Sequence, residues 1–75
     1  MSDTITFYIK NINNILIKTL LISRNIKTKN ELLQYLIDID FLHNNNYDLY
    51  HGKKPIEDII PDNVFESSLL LVEKN

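Results

Sequence analysis

Residues 4–10 (TITFYIK) alternate, with Ile5, Phe7 and Ile9 on one side and Thr4, Thr6 and Tyr8 on the other. β-Branched and aromatic residues in a two-residue period predict a half-buried strand. The stretch from Asn11 to Asn14 predicts a turn, because asparagine tolerates positive φ and bonds its own backbone locally. A second strand is expected from about Ile15 to Ser23. There Ile15-Leu16-Ile17 and Leu20-Leu21-Ile22 put apolar side chains on both faces, which leaves the register open.

The period then changes from two to 3.6. Thr28-Lys29-Asn30-Glu31 has the form of a capping box: the threonine hydroxyl accepts from the Glu31 amide and the glutamate carboxylate reaches back to the cap's own N–H. The predicted helix runs to about Asp40, with Leu32, Leu33, Leu36 and Ile39 as its apolar stripe and Tyr35 or Ile37 flanking. His43-Asn44-Asn45-Asn46 ends it, since these side chains compete for local backbone groups. Tyr47 to His51 predicts a third strand and Gly52 its turn. Pro55 fits only a sheet edge or a strand start, because it cannot donate to a ladder. Leu69 to Glu73 predicts the final strand. The order strand, strand, helix, strand, irregular loop, strand predicts an α+β fold in one domain spanning 1–75.

Composition removes several classes of function. The chain has 75 residues, 44% hydrophobic and 24% charged, which is a globular balance. A net charge of −2 argues against a nucleic-acid partner, whose binding is driven by clustered Lys and Arg. The absence of cysteine excludes disulfides, thiolate metal sites and a cysteine nucleophile. No apolar run approaches the roughly 18 residues of a membrane span. Met1-Ser2-Asp3 lacks the basic start of a signal peptide. The expectation is an intracellular protein, cytoplasmic or nuclear, with no membrane partner.

Candidate chemistry is sparse. His43 and His51 are the two histidines, and neither has the companions that a zinc site of three or four converging ligands requires. Asp38 with Asp40, and Glu57 with Asp58, are carboxylate pairs, but neither spacing converges on one substrate position. One glycine is too few for a phosphate-cradling loop. Ser67 and Ser68 lack a base nearby in sequence. The reading is a protein that is not an enzyme and takes no cofactor or metal.

The chain also carries a resemblance. Ile5 to Lys10 resembles the opening strand of ubiquitin, and the capping box and helix fall where its single helix falls. Tyr50-His51-Gly52-Lys53 is similar to its phenylalanine-alanine-glycine-lysine turn, and Ile56-Glu57-Asp58 to its leucine-glutamate-aspartate step. Glu66 to Val72 resembles its last strand and lead-in. No single motif is specific; the likeness lies in collinearity over nearly the whole chain. Two departures stand out. The loop from Asp58 to Glu66 is shorter, and Asp48 falls where the family places a buried apolar residue, which predicts a shift or bulge in the third strand.

The resemblance implies a ubiquitin-like β-grasp: a mixed four- to five-stranded sheet with one helix on one face. It also implies that the uncovered face binds partners. Carried over by position, that surface comprises Leu49, Leu70, Val72 and Ile12, with Tyr8 beside it and His51 and Lys53 at the adjoining turn. Lys53 matches a lysine used for chain linkage in the family. Four consecutive apolar residues, Leu69 to Val72, agree that one pair points away from the helix. The chain ends Glu73-Lys74-Asn75 without the glycine pair of conjugated modifiers. The expected function is a non-conjugated protein-interaction module or adaptor, monomeric or weakly dimeric, whose partner is a protein such as a ubiquitin-receptor-type domain. The alternatives are an obligate small subunit of a larger complex, or a modifier or sulfur carrier.

Overall fold

The computed structural model describes residues 3–10 and 15–74. Strands β1 (Thr4–Lys10) and β2 (Ile15–Leu21) precede the helix α1 (Lys29–Asp38). Strands β3 (Tyr47–His51), β4 (Lys54–Ile56) and β5 (Ser67–Glu73) follow, with a 3-10 turn at Asp62–Val64 before β5. The five strands form one sheet in the order β2-β1-β5-β3-β4. β1 and β5 run parallel at its centre, and every other pairing is antiparallel. The fold is α+β and β-grasp-like, with the helix on one face of a mixed sheet.

The core follows from the alternation of β1. Ile5, Phe7 and Ile9 are buried, and they meet Leu69 and Leu71 of β5, Leu49 of β3, and Leu32, Leu33 and Leu36 of α1. Among the described residues no polar or charged side chain is buried. Removal of apolar surface from water therefore dominates what holds the layers together.

The helix starts where its sequence predicts. The Thr28 hydroxyl accepts from the Glu31 amide at 3.2 Å and donates to the Glu31 carboxylate at 3.0 Å. The glutamate thus returns to the cap's hydroxyl rather than, as expected, to its backbone N–H. Thr28→Ala removes both contacts and is expected to lower stability by about 0.5–2 kcal/mol. Denaturant melts of the two proteins check this, and coincident midpoints would refute the cap's contribution.

The helix ends earlier than the stripe suggests, at Asp38, and Ile39 is an exposed C-cap residue. Asp40 adopts φ 62°, the Asp40 amide bonds the Ile37 carbonyl, and the Phe41 amide bonds the Leu36 carbonyl. This pair of bonds is a Schellman stop, with aspartate in the left-handed position that glycine usually takes. β2 also stops early: beyond the Ile22 amide's bond to the Asp3 carbonyl, Ser23 accepts from the Ile26 amide and starts a turn. β5 begins two residues before Leu69, because Ser67 and Ser68 continue the parallel ladder opposite Ile5 and Thr6.

β4 has only three residues, too few for a period to show. Its Pro55 sits on the strand at the end of the sheet order, where a missing N–H leaves no ladder partner unsatisfied. The turn into it places Gly52 at φ 66°, the left-handed region that favours glycine. The expected shift or bulge at Asp48 is absent. β3 and β5 pair in unbroken register from Tyr47–Glu73 to Tyr50–Leu70, and Asp48 simply faces away from the helix.

Candidate functional site: the outer face of the sheet

Residues opposite one another in adjacent strands point to the same side, so the register assigns every side chain to a face. Ile5, Phe7 and Ile9 face the helix; Thr4, Thr6, Tyr8 and Lys10 therefore face outward. Tyr8 lies opposite Ile17 on β2 and Leu70 on β5. Leu70 lies opposite Tyr50 on β3, and Tyr50 opposite Pro55 on β4. One row thus crosses the whole sheet as Ile17–Tyr8–Leu70–Tyr50–Pro55, and every member has apolar or aromatic surface.

The neighbouring row toward the end of β1 reads Ile15–Lys10–Val72–Asp48. On the other side a hydroxyl row reads Thr19–Thr6–Ser68, with the two threonine oxygens 2.9 Å apart. The apolar row is therefore bounded on one side by neutral hydroxyls and on the other by one cation and one anion. Ile17 is 57% exposed and Tyr8 38%, while Leu70, Val72 and Tyr50 are half-buried by their neighbours within the face. No described element covers this side. An uncovered apolar patch of this kind usually marks a contact surface.

The two charges differ in their surroundings. Asp48 has a long contact of 3.8 Å to Lys74, both side chains remaining partly exposed. Lys10 is exposed, and its ammonium has no ion pair or hydrogen bond to a described residue. At the far end of β3, Tyr47 faces the core opposite Glu73. Burial raises its phenol pKa above the ordinary value, and the Glu73 carboxylate adds to the rise. A folded pKa above the unfolded one means that this contribution to stability is present below about pH 10 and is lost as pH rises through the folded value. Wild type is therefore expected to lose thermal stability more steeply above about pH 10 than Tyr47→Phe. Parallel melting curves against pH would contradict this.

The residues singled out from sequence divide clearly. Tyr8, Leu70 and Val72 share the outer face. Leu49 does not: it is 1% exposed, opposite Leu71 and Ile56 on the helix side, and belongs to the core. Strand alternation is the reason, since Leu49 is out of phase with Asp48 and Tyr50. His51 is in phase with Leu49, and its Nε2 lies 3.2 Å from Ser67 Oγ across the sheet. It too is off the outer face. Lys53 is exposed in the turn after Gly52, at the end of the sheet rather than on it. Ile12 lies outside the described residues.

Sequence reading missed Ile15, Ile17, Tyr50 and Pro55, along with Lys10 and Asp48. The signal for the β2 residues was the hairpin itself. A four-residue connection after Lys10 pairs Lys10 with Ile15 and fixes which β2 side chains join Tyr8.

Other parts of the molecule offer less. An open cleft beside β4 is lined by His51, Glu57 and Asn63 among others. It contains one carboxylate, and its histidine is already engaged by Ser67. Among the described residues no group of three or more His, Asp or Glu side chains is placed to hold a metal ion, and no helix is long and apolar enough to cross a membrane. No protein-family model, curated protein or solved structure matches this chain, so function is read from its own outer face.

Proposed function

We propose that this chain is a ubiquitin-like interaction module that binds a protein through the outer face of its sheet. The observation that carries the reading is the apolar row Ile17–Tyr8–Leu70–Tyr50–Pro55, uncovered across all five strands. The strand order and the collinear likeness to ubiquitin support the same view, since β-grasp proteins of that family present the sheet face opposite their helix. The work done is binding. Water is displaced from apolar surface around a central Leu70, and the tyrosine hydroxyls and flanking polar rows give orientation.

The test uses Leu70→Glu, which places a charge at the centre of the face without touching the core. Wild type and variant, both shown to be folded by circular dichroism, are immobilised and exposed to extract from the native host. Proteins retained by wild type are expected to be lost from the variant, in keeping with a central apolar anchor. Identical retention by both would refute binding through this face.

A further inference from the structure

Resting on that reading of the outer face, we infer that its occupant is a second copy of this chain, docked face to face about a two-fold axis along β5. The face is self-complementary about that strand. β5 lies between β1 and β3, and β2 and β4 lie beyond them. The apolar row has Leu70 at its centre, a tyrosine on each side (Tyr8 and Tyr50), and an aliphatic residue at each end (Ile17 and Pro55). The next row has Val72 at its centre, with Lys10 on one side and Asp48 on the other. Adjacent strands are about 4.8 Å apart, so Lys10 and Asp48 sit about 5 Å to either side of the β5 line.

A two-fold axis in the plane between two such faces, parallel to β5, exchanges left and right while keeping each row level. Leu70 then meets Leu70 of the second copy and Val72 meets Val72. Each Tyr8 meets a Tyr50, and each Ile17 a Pro55. The Lys10 ammonium, which has no ion-pair partner among the described residues, meets Asp48 of the second copy, and the reverse pair forms by symmetry. An isologous interface requires this reciprocity, in which residue i contacts j and j contacts i. The same axis would bring like charges together if both flanks of Val72 were basic or both acidic. Here they are opposite. Two sheets related this way pack as an aligned sandwich, which is the usual arrangement for sheet faces that bury apolar side chains. In the hydroxyl row, Ser68 lies on β5 and meets its own equivalent, while Thr6 and Thr19 face the β3 side of the second copy.

The charges supply the test. Lys10→Glu and Asp48→Lys are made separately, each confirmed folded by circular dichroism, and each is studied alone and in equimolar mixture by sedimentation equilibrium. Wild type is expected to show a monomer–dimer equilibrium. Each variant alone sets like charges against each other twice per dimer, and its dissociation constant is expected to rise about tenfold or more. In the mixture, the carboxylate introduced at position 10 of one variant faces the ammonium introduced at position 48 of the other. The unaltered Asp48 and Lys10 of the same pair of chains also face each other. The mixed dimer should recover, at near wild-type affinity, and native mass spectrometry should identify it as a heterodimer.

Wild type sedimenting as a monomer at about 1 mM would overturn the inference, since any residual self-affinity would then be weaker than about 4 kcal/mol. A wild-type dimer whose single-charge variants are not rescued by mixing would also overturn it, and would move self-association to another surface such as the free edge of β2. These results stand apart from the extract experiment. A monomeric wild type whose retained proteins are lost on Leu70→Glu keeps the interaction face and removes only self-pairing.

Discussion

Leu71→Ala is expected to cost about 2–5 kcal/mol of folding stability, whereas its neighbour Leu70→Ala is expected to cost no more than about 1 kcal/mol. The two residues are chemically identical and adjacent, so face alone separates them. Leu71 is fully buried, flanked on its own side of the sheet by Ile9 of β1 and Leu49 of β3. Truncating it leaves a cavity in a core that has few residues to relax into the space. Leu70 points the other way, between Tyr8 and Tyr50, and loses only partial contacts within the outer face. Urea melts of the two variants measure the contrast. Equal losses, or a larger loss at Leu70, would mean that β5 is paired one residue out of register and that the outer face is wrongly assigned. For a fold of this size, whose total stability is of the order of 5–15 kcal/mol, the Leu71 loss is enough to populate unfolded chains.

That contrast also explains how much of the molecule was legible in its sequence. Elements with a clean period were readable: the two-residue alternation of β1, the threonine cap and leucine stripe of α1, and the glycine turn after β3. The four apolar residues Leu69 to Val72 stated that both faces of β5 are apolar, but parity along one strand cannot say which pair is inside. Pairing with β1 decides it, because Phe7 and Leu69 are opposite each other and both buried. Leu49 shows the opposite case. Family likeness assigned it to the outer face, while the local alternation Tyr47–Asp48–Leu49–Tyr50 assigns Asp48 and Tyr50 there instead. The acidic residue that looked like a defect in a buried position is an outward residue in a regular strand.

β4 and the outer row were not legible for a different reason. A three-residue strand containing proline has no pattern of its own and exists because β3 supplies a ladder beside it. The row Ile17–Tyr8–Leu70–Tyr50–Pro55 draws one residue from each of five strands, so no window of sequence contains it. Such rows are tertiary objects, assembled by four registers at once. The positive φ at Glu66 is similar in kind. Its amide bonds the Thr4 carbonyl at 2.7 Å, a contact between opposite ends of the chain that sets where β5 begins.

Phe7→Ala is expected to have the largest effect of any single truncation, about 3–5 kcal/mol, because an entire buried ring is removed from the centre of the sheet. Phe7 has no exposed surface and lies on a strand paired on both sides, opposite Lys18 of β2 and Leu69 of β5. Its ring meets Phe41 with centroids 6.0 Å apart and planes inclined at 59°, within the range where tilted aromatic pairs gain beyond area alone. Phe41 is itself only half-buried, with the Lys18 ammonium 6.0 Å from its centroid on the helix side of β2. The ring pair thus joins the segment after α1 to the sheet, beside the part of β2 that the helix leaves exposed. Substituting leucine separates packing from ring contact. Phe7→Leu and Phe41→Leu are each expected to be destabilising, and their double-mutant cycle should give a coupling of about 0.5–1.5 kcal/mol. A coupling of zero would reduce the pair to two independent apolar side chains. A Phe7→Ala protein with near wild-type stability would be incompatible with β1 facing the helix through Ile5, Phe7 and Ile9, and the assignment of the outer face would fall with it.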